Sequence, residues 1–78
     1  MELKTFDMET VSFYMLNNRF DKLCYLHQLN EEKIKNNENC LNSSEYTEYQ
    51  KIMAKHSLYN QYKDRKKYLE EIKKIGGL

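Results

Sequence analysis

Phe13, Leu16, Phe20, Leu23, His27, Asn30 and Ile34 recur at steps of three, four, three, four, three and four. That spacing holds one stripe of a helix against a partner along its whole length, as in a coiled coil. Phe6 belongs to the same stripe. The chain has no proline, and its two glycines, Gly76 and Gly77, sit at the C-terminal end, so backbone chemistry interrupts nothing before them. Asp7 or Thr5 can cap the start of this first helix, and Asn36-Asn37 can end it, which predicts a helix over about 6–37. Thr10–Met15, TVSFYM, also suits a strand, but no second strand is visible to pair with it.

A second stripe runs through Tyr49, Ile52/Met53, His56, Tyr59, Tyr62, Lys66, Leu69 and Ile72. Asn42 followed by Glu45 reads as a capping box, with Leu41 and Tyr46 placed as a hydrophobic staple. Glu31 with Lys35, and Glu70 with Lys74, are favourable charge pairs one turn apart. These signals predict a loop over about 38–42 and a second helix over about 43–75. Joined by a short loop, the two helices fold back as an antiparallel hairpin, the expected all-α fold of a single domain, 1–78. Residues whose numbers total about 82 or 83 then lie level, so Phe13 meets Leu69, Phe20 meets Tyr62, Leu23 meets Tyr59 and Ile34 meets Tyr49. Charge agrees with folding back. Residues 1–50 hold five Lys/Arg against nine Asp/Glu, and residues 51–78 hold eight against three.

A 78-residue hairpin lies near the lower limit for a self-sufficient core. Helix 1 carries more apolar residues than one seam can use: Met8, Val11, Met15, Leu26 and Leu29 lie off it, joined by Leu58 from helix 2. These six predict a surface that is covered by a second copy or another protein, or by the first residues folding back.

Cys24 and His27 stand one turn apart, and His56 faces His27 in the expected register, so the three could hold zinc if a fourth ligand came from elsewhere. The competing expectation is no metal, with His27, Asn30 and His56 as polar seam residues that fix register. Tyr59–Tyr68, YNQYKDRKKY, interleaves tyrosines with Lys63, Arg65, Lys66 and Lys67, a pattern able to neutralise phosphates and stack bases. Asp64 interrupts it and a net charge of +1 disfavours a general polyanion binder, so nucleic acid is the alternative partner.

No phosphate-cradling glycine loop or nucleophile elbow is present, and no cofactor is implied. Ser43-Ser44-Glu45-Tyr46-Thr47 shares only Ser43 and Glu45 with the Ser-Gln-Glu-Leu-Asp motif of the small two-helix sporulation phosphatases, and Thr47 stands where their acidic residue belongs. The expectation is a non-enzymatic protein-binding module, an adaptor, co-chaperone-like subunit or small inhibitor, docking through the apolar face of helix 1. Two cysteines without a recognisable leader, and no apolar run of about 20 residues, predict a reducing, cytoplasmic setting with no membrane span.

Overall fold

The computed structural model describes residues 3–76. Two helices, α1 (Arg19–Asn42) and α2 (Glu48–Gly76), pack antiparallel as a hairpin, and no strand occurs among the described residues. The long dimension of 41 Å is close to that of α2 itself at about 1.5 Å per residue. No helix in the described residues is long and apolar enough to cross a membrane.

α1 begins at Arg19, not near residue 6. Asn18 is its cap: the side-chain Oδ1 accepts from the Asp21 N–H at 2.7 Å, and Asn18 Nδ2 donates to Asp21 Oδ2 at 3.1 Å. The Asp21 carboxylate also lies at the positive end of the helix dipole. Asp7 does start a turn, with Thr10 and Val11 N–H groups donating to its carbonyl and Glu9 N–H to its Oδ1, but the turn does not propagate. Thr10, Val11 and Ser12, β-branched or backbone-competing residues, follow at once. Ser12 and Leu16 are extended around a short 3-10 turn at Phe13–Met15, so TVSFYM is neither helix nor strand.

Residues 3–18 instead form an arm that doubles back along α1. The Phe6 N–H donates to Gln28 Oε1 at 2.7 Å, and Gln28 Nε2 donates to the Phe6 carbonyl at 2.7 Å, so one side-chain amide pairs both backbone groups. Tyr25 is flanked by Phe6 and Phe13, with ring centroids 6.0 and 6.3 Å away. Lys4 Nζ lies 2.6 Å from Asp21 Oδ1, and its charge partners a buried oxygen that has no other hydrogen bond.

The turn also lies later than expected. Asn36 and Asn37 stay inside α1, where each costs only about 0.5 kcal/mol of helix propensity, and Asn37 Nδ2 bonds Gln61 Oε1 across the seam at 3.0 Å. Ser43, the C-cap, donates its N–H to the Cys40 carbonyl. The capping box of α2 is Thr47/Gln50 rather than Asn42/Glu45: Thr47 N–H donates to Gln50 Oε1 at 2.9 Å and Gln50 N–H to Thr47 Oγ1 at 3.2 Å.

Moving the turn from Leu41 to Glu45 changes every pairing. Asn30 Nδ2 donates to the Gln61 carbonyl at 2.8 Å, and Glu31 faces Arg65, pairs whose numbers total 91 and 96. α1 presents the stripe read from its spacing, with Leu23, Asn30 and Ile34 buried and Phe20 and His27 half-buried. α2 is rotated relative to expectation. Its inward residues are Ala54, Leu58, Gln61, Arg65, Tyr68 and Ile72, and the stripe from Tyr49 to Lys66 faces out.

Candidate functional site

The outward face of α2 is the most unusual surface of the hairpin. Tyr49, Ile52, Met53 and Tyr59 are 72, 51, 50 and 63 % exposed, and His56 between them is exposed as well. At about 100° per residue, positions 49, 52, 56 and 59 form one row nearly opposite the seam. The row exists because the seam takes a competing repeat. Ala54, Leu58, Gln61, Arg65, Tyr68 and Ile72 run four, three, four, three, four, and add the aliphatic Leu58 to the Ile72 that both repeats share. Tyrosine keeps a hydroxyl in water at modest cost, whereas Leu58 and Ile72 have nothing to gain there.

Next to this row, a groove of about 240 Å³ opens between the last turns of α1 and the first turns of α2. Asn37 and Cys40 form one wall, and Tyr46, Tyr49, Met53 and Ser57 the other, so Tyr49 and Met53 belong to both groove and row. A larger, polar hollow of about 390 Å³ lies around Glu31, Lys35, Glu38 and Arg65.

Arg65 does not face solvent as a free cation. Its Nε and second guanidinium nitrogen bind both oxygens of Glu31, at 2.6 and 2.9 Å, and the carbon of the guanidinium lies 5.4 Å from the Tyr62 ring centroid. That fork holds the Arg65 pKa above its ordinary value. It also draws Glu31 across the seam and not along the helix to Lys35. His27 Nε2 is 3.5 Å from Glu31 Oε1, yet its pKa is lowered: burial disfavours the imidazolium, and Glu31 only partly offsets this while Arg65 adds to it. The contact is therefore not an ion pair at neutral pH. Burial, with Asp64 adding, raises the Tyr68 hydroxyl pKa.

The residues singled out from sequence fall into three environments. Of the six assigned to partner binding, Leu58 is 5 % exposed in the seam, which removes it from any docking face. Met8, Val11, Leu26 and Leu29 are half-buried, and Met15 is 62 % exposed on the arm. The metal candidates are not brought together. Cys24 is in the core with Leu23 and Ile72, His27 stands beside Glu31, and His56 is on the outer row. No cluster of three or more His, Cys, Asp or Glu suited to a metal ion occurs among the described residues. The cause is the moved turn, which puts Arg65 and not His56 at the level of His27. Cys24 and Cys40 are both free thiols. Of the basic segment, Lys66 and Lys67 are exposed, Lys63 Nζ lies 4.3 Å over the Tyr59 ring, and Arg65 is held by Glu31. Ser43 and Thr47, the phosphatase-motif positions, act as helix caps.

In the sequence the outer row is a stripe that spacing alone places in the seam, and Tyr46, expected as a staple, lines the groove instead. Residue type separates the two stripes only through Leu58, since the inward repeat also holds Gln61 and Arg65 and the outward one is rich in tyrosine. The chain has no significant match among protein-family models, curated proteins or solved structures.

Proposed function

We propose that this chain is a non-enzymatic protein-binding module that receives a helical segment of another protein along the outer row of α2. The supporting observation is the exposure of Tyr49, Ile52, Met53 and Tyr59 at helical spacing on one continuous helix. Apolar residues at steps of three and four match the anchors of a second helix, whereas scattered apolar side chains would match nothing in particular. Tyrosine and methionine supply large contact area that adapts to a partner, and tyrosine also tolerates water when the surface is free. The docking face thus moves from α1, where the arm lies, to α2. In this reading the chain acts as an adaptor or small regulator.

Photo-crosslinking tests it. A crosslinking residue at Ile52 is expected to capture a protein that the same residue at Glu32, on the exposed surface of α1, does not. The captured protein, purified, should bind the chain and lose at least about tenfold in affinity to Ile52→Glu. Equal capture from both positions, or binding unaffected by Ile52→Glu, would refute the assignment.

A further inference from the structure

We infer that the segment received by α2 is an acidic amphipathic helix with one bulky apolar anchor; this rests on the docking reading above. The charge around the outer row is basic in balance, with the exposed Glu70 the acid that follows on the same face. Between Glu48 and Lys67, α2 carries Lys51, Lys55, Lys63, Lys66 and Lys67 against only Glu48 and Asp64, once Arg65 is set aside as the partner of Glu31. All but Lys51 of those lysines are exposed, and none of them takes part in an ion pair among the described residues. Lys63 is part of the row itself, with its ammonium over the Tyr59 ring. A helix laid on this row sets its flanking positions against these lysines, so carboxylates there are attracted and lysines repelled.

The same count argues against a second copy of the chain. Two outer rows brought face to face would oppose like sets of lysines, relieved on each side only by Glu48, Asp64 and the exposed Glu70. It argues against nucleic acid for a different reason. Ile52 and Met53 interrupt the rings of Tyr49, His56 and Tyr59 that bases would stack on, and the one guanidinium of the segment is already bound to Glu31.

The groove supplies the anchor. Its volume of about 240 Å³ is below the range of small-molecule pockets, roughly 300–1,000 Å³, and suits a single large side chain. Tyr49 and Met53 line it and also begin the row, so one helix can fill the groove near the turn and continue over Ile52 and Tyr59 toward the lysines. The incoming helix therefore carries its apolar anchor at one end and most of its carboxylates toward the other.

The probe is a display library of helical peptides randomised on every face, selected against the whole chain. The expected result is enrichment of apolar residues at steps of three and four with Asp or Glu flanking them. An enriched peptide should lose on the order of tenfold or more in affinity to the Lys63→Glu/Lys66→Glu/Lys67→Glu variant, and should weaken steeply with salt. Circular dichroism confirms that the variant keeps its helix. Enriched peptides with the apolar spacing but neutral or basic flanks would overturn the acidic chemistry and leave the docking reading standing. Failure to enrich, or peptides indifferent to Ile52→Glu, would overturn both. Two further results also contradict the inference: self-association abolished by Ile52→Glu, which makes a second copy the occupant, and duplex or single-stranded nucleic acid bound through the three lysines.

Discussion

The two ends of the hairpin are built differently. At the end away from the turn, Leu23, Cys24 and Ile72 form a dry cluster closed by Phe6, Phe20 and Tyr68, with Ile72 wholly inaccessible. At the turn end, Tyr46, Tyr49, Ile52 and Met53 stay in water beside an open groove, although Ile34, Ala54 and Leu58 are buried beneath them. The difference lies in what the chain supplies for itself. The arm brings a phenylalanine to the first end and fixes it with Gln28, whereas nothing among the described residues closes over the second. In the proposed reading, the end that the described residues leave uncovered is the one that receives a partner.

If that contrast is right, substitutions at the two ends should have opposite signatures. The largest effect is expected at Ile72→Ala, which removes the most enclosed aliphatic side chain; a loss of about 3 kcal/mol should be seen in urea unfolding. Phe6→Ala comes next, at about 2 kcal/mol, because Phe6 is only half-buried but closes the cluster. A Phe6→Ala protein as stable as the original would mean that the arm is not a structural cover. Ile52→Gln should change stability by less than about 0.5 kcal/mol while weakening partner binding. A large loss of stability there would place Ile52 in the core and erase the contrast.

Acidity gives a subtler comparison. His27 is held neutral by burial, so its folded pKa lies below its ordinary 6.5. Below pH 6.5 the unfolded chain therefore binds more protons at this site, and stability falls as pH drops toward the folded pKa; above 6.5 the contribution is complete. His27→Gln should flatten the dependence of the unfolding midpoint on pH just below 6.5. A stability that instead rises on acidification through that range would show Glu31 pairing with the imidazolium, at the expense of Arg65.

Much of the architecture was legible. From Phe20 to Ile34 the spacing gives the buried stripe of α1, which contains Leu23 and Ile34, aliphatic residues with no polar atom to compete for water, whereas Phe6, Phe13 and Leu16 lie on the arm and not on the helix. On α2 the expected stripe holds at its end, where Ile72 is buried, and fails from Tyr49 to Lys66, because a second repeat through Leu58 shares that helix and the tyrosine-rich one has more apolar area. The turn was missed by about one helical turn. Asparagines at 36, 37 and 39 look like a loop locally, and only the bond from Asn37 to Gln61 shows why the helix passes through them. An absence of proline and glycine permits a helix but does not require one, and residues 3–18 show it: Phe6 and Phe13 gain more by closing on Tyr25 than by extending α1. The facing histidines depended on the exact register and went with it.

The central claim is that α2 turns Leu58 and Ile72 inward and leaves Ile52 and Tyr59 bare. Nuclear Overhauser contacts in the free protein measure this directly. Ile72 methyl groups should show contacts to Leu23 and to the Phe6 ring, while Tyr59 ring protons show none to α1. Contacts between Tyr59 and Leu23 would mean that the helices pair in the other register, with the outer row inside the seam and no docking face left on α2.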